Sequence, residues 1–308
     1  MREPQVVSPA EPAHGWWFLV GLAAMAANKV RHALRPYRRP RPFSPSDVTR
    51  AAEYDREVWA SWMEYLGDYL GRPYDLAGKT VLELGPGPDL GVAALGLAAG
   101  AGRYIAFDRF PLARATPRAT HERVVEEVLA RAGVAADKAE GLRQCVQDAL
   151  AERSGPVRYV CREDFDLAAA GLPKVDLIVS QAAFEHFDDP GRTIAQLGRV
   201  AAPGAVFLAV VDLQTHTGLL RSHDPLNIYR YSPRLYRRLS FAGAPNRARP
   251  AEYVRWLAEA GWTGVQARAL AVLADSYIRA VGPHLAAPFR EAVAQMEMLT
   301  VALCATRP

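Results

Sequence analysis

The sequence predicts an α/β fold: a doubly wound, mostly parallel sheet of seven strands with helices on both faces, an N-terminal helical extension and an insertion after the fifth strand. Three observations predict it. From Lys79 onward, short apolar runs alternate with helical stretches, the pattern of a parallel sheet with crossover helices. The first of these runs, Thr80–Leu84, passes directly into a turn with glycine at 85 and 87. The 308 residues, half of them hydrophobic and 23% charged, suffice for one large core with additions and exclude disordered, collagen-like and polytopic membrane classes.

The first element is Trp16–Ala27 (WWFLVGLAAMAA), an apolar run shorter than the roughly 20 residues a spanning helix requires. It resembles the hydrophobic region of a signal peptide, with Ala24-Met25-Ala26 in the place of a cleavage site. Glu3 and Glu11 precede it, however, and the strong positive charge follows it, which argues against export. A helix over 16–35 with two tryptophans and a basic flank fits three roles: an interfacial helix on a membrane, a helix docked on a partner, or a helix packed on its own domain. Residues 1–75 are therefore read as a helical extension or cap, with peripheral membrane contact through 16–41 and a homo-oligomer both open. Pro36, Pro40 and Pro42 break that helix and make a semi-rigid connector. Ser44-Pro45-Ser46-Asp47 then starts an amphipathic helix to about Leu70, with Val58, Trp62, Leu66 and Tyr69 at helical spacing.

The core domain, 76–308, follows. Thr80–Leu84 reads as a buried strand, Asp89–Ala99 as a helix and Tyr104–Phe107 as a second strand. Helices near 119–132 and 138–152, strands near 157–161 and 175–180, a helix near 190–199 and a strand near 205–212 come next. A helix near 250–260, a strand near 264–272, a helical stretch near 275–293 and a final strand, Leu299–Cys304, complete the sheet. Residues 213–249 lie past the carboxyl end of the fifth strand, where such a sheet binds ligands, and are read as an insertion there.

Charge is local. Asn28–Arg50 and Leu219–Arg249 each hold seven basic residues against one acid, so a net charge of +4 leaves the rest of the chain acidic. That distribution argues against a protein that coats nucleic acid. Cys145, Cys161 and Cys304 are odd in number and far apart, giving neither a disulfide framework nor a zinc spacing, and place the protein in a reducing cytoplasm. No sequence pattern indicates a metal.

The ligand signal starts at Val81-Leu82-Glu83-Leu84-Gly85-Pro86-Gly87-Pro88-Asp89-Leu90-Gly91. Leu90 breaks the usual G-x-G-x-x-G fingerprint, and Glu83 at the strand end would repel a pyrophosphate but suit an ammonium group. Tyr104–Asp108 ends the next strand on an acid that suits two ribose hydroxyls. This combination resembles motif I of the class I (Rossmann-like) S-adenosylmethionine-dependent methyltransferases. The resemblance implies a seven-stranded sheet of that type with an antiparallel last strand, and S-adenosyl-L-methionine as cofactor. Its contacts would come from Glu83, Gly85, Gly87 and Asp108, from Asp164 and Phe165 beside the adenine, and from Ser180 at the fourth strand. The segment Val175–Phe187 with its Glu185-His186 pair, and Arg199–Gly204 before the fifth strand, match the family in order. Asp89 stands where many members carry a third glycine. The segments Val211–His216, Asp224–Asn227 and Asn246–Arg249 resemble a bacterial, small-molecule subgroup, which implies that 213–249 is an acceptor-site insertion.

A sulfonium methyl is already activated, so such an enzyme chiefly aligns a nucleophile, excludes water and, where needed, removes a proton. His216 is the favoured general base, followed by Glu185 and His186. Arg221, Arg230, Arg247 and Arg249, interleaved with Tyr229, Tyr231 and Tyr236, suit a phosphate or carboxylate. The expected acceptor is thus a small anionic molecule such as a sugar phosphate, a lipid precursor or a specialised metabolite. Two rivals remain. An NAD(P)-dependent oxidoreductase is favoured by Gly85, Gly87, Gly91 and Asp108, although no Tyr-x-x-x-Lys pair is present. A non-catalytic member would bind a membrane or partner through its N-terminal helix.

Overall fold

A computed structural model describes residues 3–9, 14–34, 47–291 and 294–308; the connector at 36–42 and the helix-start residues 44–46 lie outside them. The strands are β1 (Gln5–Val7), β2 (Thr80–Leu84), β3 (Arg103–Asp108), β4 (Val157–Cys161), β5 (Val175–Gln181), β6 (Ala201–Asp212), β7 (Thr263–Leu273) and β8 (Met298–Thr306). They lie side by side as β1-β7-β8-β6-β5-β2-β3-β4. All neighbours are parallel except the two pairs made by β8, which is antiparallel to β6 and to β7. The sheet has eight strands where seven are expected, because Gln5–Val7 pairs with Ala271–Leu273 at the edge.

Helices cover both faces: α1 (His14–Leu34), α2 (Val48–Leu70), α3 (Gly91–Ala98), α4 (Leu112–Ala115), α5 (Arg118–Arg131), α6 (Ala136–Leu150), α7 (Pro190–Val200), α8 (Gly218–His223), α9 (Pro233–Leu239), α10 (Pro250–Glu259) and α11 (Asp275–Val281). Successive strand residues point to opposite faces, so an apolar run feeds two cores. Val81 packs with Val58, Trp62 and Leu66 of α2 and with Val125 and Leu129 of α5. Its neighbour Leu82 packs with Ile194 and Leu197 of α7 and Leu257 of α10. Trp62 is fully buried, and truncating such a side chain costs about 3–5 kcal/mol. Residues 48–70, expected to belong to a cap, therefore pack as part of the core. The helical stretch expected over 275–293 stops at Val281, because Pro283 and Pro288 allow only single 3₁₀ turns beyond it.

A third apolar cluster joins the insertion to α1: Leu226, Tyr229, Tyr231, Tyr277 and Leu285 meet Phe18, Leu22 and Met25. Asn227 Nδ2 donates to Trp17 O at 2.9 Å, the Tyr231 hydroxyl donates to Phe18 O at 2.9 Å, and His14 stacks on His284 at 3.8 Å. Gly21 sets the distance between the two segments, since a Cβ there would run into Asn227 Oδ1 and the Tyr231 hydroxyl. This face of α1 packs on its own chain. Its opposite face is open: Trp16, Leu19, Val30 and Leu34 are 59–78% exposed. Among the described residues no helix is long and apolar enough to cross a membrane.

Candidate functional site

The carboxyl ends of β2, β3, β5 and β6 open into a cavity of about 1170 Å³. One wall is the Gly85–Pro88 turn and Asp108; another is the loop carrying Glu185 and His186; α1 closes the side opposite the sheet with Met25, Asn28, Arg31 and His32. Ligand pockets usually span about 300–1,000 Å³, so this one has room for a cofactor and a second molecule.

The turn lets the backbone itself form a wall. Gly85 and Gly87 have φ of +75° and +81°, and a Cβ at Gly85 would come within 2.7 Å of Ala183 Cβ. Asp108, at the end of β3, accepts N–H bonds from Arg109 and Phe110 on Oδ1 (2.6 and 3.2 Å) and from Gly87 on Oδ2 (3.2 Å). Burial pushes its carboxyl up to about 6 against the pull of these three amides. An acid held this way at a strand end has acceptor capacity left for a ribose diol. Phe165, at φ +49°, stands edge-on to Phe107 and beside Phe187, and it lines the same cavity as Asp164. Arg162 grips the Asp164 carboxylate through two hydrogen bonds, of 3.0 and 2.7 Å. An adenosine with a cationic amino-acid tail fits this combination of bare backbone, ribose acceptor and aromatic edge.

Two residues expected at the cofactor lie behind the cavity wall. Ser180 is fully buried and donates to Leu84 O at 2.9 Å, tying β5 to β2. Glu83 points into the first core, where the Tyr104 hydroxyl donates to it at 2.9 Å; burial drives its carboxyl up to about 8. Neither lines the cavity.

At the other end of the cavity, the loop after β5 meets the loop after β6. His216 Nε2 lies 3.5 Å from Asp212 Oδ2 and 3.9 Å from Glu185 Oε1, and the imidazoles of His186 and His216 are 4.8 Å apart. His186 Nδ1 sits 2.7 Å from Gly243 O; a carbonyl only accepts, so Nδ1 carries the proton and Nε2 is bare. Burial and the neighbouring His216 push His186 down to about 4. Glu185 is 2% exposed and neither oxygen accepts a hydrogen bond of normal geometry. Burial, with Asp212 adding, drives its carboxyl well above the usual range, although the nearby backbone amides of Glu185 and Asp212 offset part of this. Asn246 fixes the loop: its amide N–H donates to Glu185 O at 2.7 Å, and its Nδ2 donates to Phe184 O and Phe187 O at 2.7 and 3.1 Å.

The arginines expected to bind the acceptor do not line the cavity. Arg230 forms a buried pair with Asp224, through Nε at 2.7 Å and Nη2 at 3.1 Å. Arg247 donates to Ile228 O and Tyr231 O and stacks over Tyr236. Arg249 donates to Ala294 O, Gln295 O and Met298 O and to the Tyr229 hydroxyl. Arg221 holds Asp212 at 2.6 Å. Carbonyls and two acids in their own neighbourhood take up these guanidinium groups, which knit the insertion together. The cavity-facing arginines are instead Arg31, Arg50, Arg109 and Arg192. Tyr54 and Gln181 also line it, and the Trp62 indole donates to Gln181 Oε1 at 3.1 Å. Gln181 was findable as the last residue of a strand that ends at the site; Arg31 and Arg50 carried no signal beyond their charge.

Fold and site together define a class I S-adenosylmethionine-dependent methyltransferase. The chain belongs to the methyltransferase-domain family, whose model matches residues 51–267. Similar solved structures include an S-adenosylmethionine-dependent methyltransferase from Mesorhizobium loti (14% identity, 78% of this chain and 96% of that one, TM-score 0.41). A second is a SAM-dependent methyltransferase from Aquifex aeolicus (15%, 86% and 100%, TM-score 0.41). A third is phosphoethanolamine N-methyltransferase 2 from Haemonchus contortus in complex with S-adenosyl-L-methionine (12%, 86% and 57%, TM-score 0.47). No curated protein matches the chain.

Proposed function

We propose that the enzyme methylates a small anionic acceptor held between α1 and the Glu185–His186–His216 cluster. The observation that carries this is the continuity of one cavity from the glycine turn and Asp108 to that cluster, with Arg31 and Arg50 on its wall to meet a carboxylate or phosphate. Bound S-adenosylmethionine supplies an electrophilic methyl group on a positively charged sulfur. Gly85 and Gly87 let it lie against backbone, Asp108 accepts its ribose hydroxyls and Phe165 borders its adenine. On the acceptor side, α1 shuts out water, and His216, flanked by Asp212 and Glu185, takes the acceptor's proton in the metal-free protein. Calorimetry with S-adenosylhomocysteine tests the cofactor half. The wild type should bind it, and Asp108→Ala should bind about tenfold or more weakly, as loss of charge-assisted hydrogen bonds predicts. Tight binding of NADH in place of S-adenosylhomocysteine would refute the reading.

A second role rests on the open face of α1. Trp16, Leu19, Val30 and Leu34 fall within about 60° of one another around the helix. Arg35, Arg38, Arg39 and Arg41 follow them in sequence. An apolar stripe with a basic flank matches the interface of an anionic bilayer. Flotation with phosphatidylserine vesicles should carry the wild type upward and leave Trp16→Glu/Leu19→Glu behind; equal flotation of both would remove this role.

A further inference from the structure

Glu185 and His186 lie 31 and 30 positions before His216, on two loops that the parallel pairing of β5 with β6 brings together. One donor atom from each lies within 4.8 Å of the others. We propose that these three side chains form a site for a divalent first-row transition ion, and that the ion receives an oxygen pair of a chelating acceptor.

Four features of the geometry support this. First, Glu185 is buried, and both of its oxygens lack a hydrogen bond of normal geometry. A carboxylate kept out of water without partners is costly, and a cation is the partner that would remove the cost. Second, the Gly243 carbonyl fixes the His186 proton on Nδ1, leaving Nε2 to ligate; this is the outer hydrogen bond that metal-binding imidazoles characteristically make. Third, Asn246 clamps the backbone on both sides of Glu185, so the loop that carries two of the three ligands is positioned before any ion arrives. Fourth, the side chain of His216 is 31% exposed, which leaves a route for the ion and open coordination positions facing the cavity. Metal–nitrogen and metal–oxygen bonds of about 2.1 Å place donors roughly 3–3.5 Å apart, so an arriving ion needs donors now up to 4.8 Å apart to close by roughly 1.3–1.8 Å. Two imidazoles and one carboxylate favour Fe²⁺ or Zn²⁺ over Ca²⁺ or Mg²⁺, with Mn²⁺ held more weakly than Zn²⁺ and useful as a paramagnetic probe.

The inference rests on the methyl-transfer reading for the acceptor and deepens it. With an ion in place His216 is a ligand rather than the proton acceptor, and the acceptors that fit are those with two adjacent oxygens, such as a hydroxy acid or a vicinal diol. The anionic group of a hydroxy acid would also face Arg31 and Arg50.

The test uses the full chain stripped with a chelator and titrated with Mn²⁺, followed by calorimetry and by the loss of free Mn²⁺ signal in electron paramagnetic resonance. Far-UV circular dichroism serves as the control for an intact fold, and S-adenosylhomocysteine binding reports the cofactor site. The expected result is one Mn²⁺ per chain, competed by Zn²⁺ and little affected by equimolar Mg²⁺. Glu185→Gln and His216→Ala should each weaken Mn²⁺ at least about tenfold while S-adenosylhomocysteine affinity stays within twofold of wild type. The proposal is overturned if the stripped chain binds S-adenosylhomocysteine but neither Mn²⁺ nor Zn²⁺, which leaves His216 as an acid–base group and the methyl-transfer reading intact. It is also overturned if both variants bind Mn²⁺ as wild type does. A folded chain that binds Mn²⁺ but not S-adenosylhomocysteine overturns the acceptor assignment together with the methyl-transfer reading.

Discussion

Replacing Glu83 by glutamine should make the protein more stable at alkaline pH and flatten its pH dependence. In the folded protein burial raises this carboxyl from 4.5 to about 8, with the Tyr104 hydroxyl pulling it down and Asp89 and Asp108 pushing it up. The unfolded chain has no such burial, so between pH 4.5 and 8 the folded state holds a proton that the unfolded state has released. Stability therefore falls as pH rises: the contribution is whole below about 4.5, shrinks through the interval and is gone above about 8. At 1.36 kcal/mol per pH unit, the interval corresponds to roughly 3–5 kcal/mol. Glutamine can still accept from Tyr104 and carries no charge to bury. Urea unfolding of wild type and Glu83→Gln from pH 5 to 9, without cofactor, reads the effect. The stability difference between the two should grow in favour of the variant by that amount across the range. Asp55, Asp108 and His121 titrate in both proteins, so their contributions largely cancel. Parallel curves for the two proteins would show that Glu83 is ionised in the folded state and would sink the reasoning.

Two further outcomes follow from contacts elsewhere. Asp224→Ala leaves the Arg230 guanidinium buried without its partner and removes the acceptor of the Tyr277 hydroxyl; urea unfolding should show a loss of about 3–5 kcal/mol. The double change Asp224→Leu/Arg230→Met should recover most of it, and a loss below about 1 kcal/mol in the single variant would contradict the pairing. Gly21→Leu places a side chain against Asn227 and Tyr231, an overpacking that costs about 1–3 kcal/mol. Amide exchange in residues 14–34 should then speed up by about tenfold or more while β2–β6 exchange as in the wild type. Unchanged exchange would mean that α1 is not held by this approach.

The sheet was legible because seven of its strands are apolar runs long enough to be seen, and because glycine at 85 and 87 and acids at 83 and 108 stand at strand ends. β1 was not legible. Its three residues are mostly exposed, and Gln5–Val7 becomes a strand only because the β7 edge supplies the hydrogen bonds. The arginines of the insertion show a deeper limit. A guanidinium in sequence announces charge, but whether it awaits a ligand depends on which carbonyls the fold turns towards it, and for Arg247 and Arg249 those belong to residues 228, 231, 294, 295 and 298. The reverse holds for Glu185, His186 and His216. Each was singled out, yet their spacing along the chain matches no ligand motif, and only adjacent strand ends make them neighbours.

The placing of β8 bears on how the molecule is made. It is the last of the described strands in sequence, made after both of its neighbours, yet it takes an interior slot, with β6 on one side and β7 on the other. Until it arrives, β6 and β7 present bare edges to each other across an open gap, and β1 waits for β7 to pair with it. Half of the sheet can assemble during synthesis while the other half must wait for residues 298–306. Unpaired edges left open that long invite pairing with other chains, so the yield of folded protein should depend on the speed at which residues 263–306 are completed more than on anything in the cofactor-binding half.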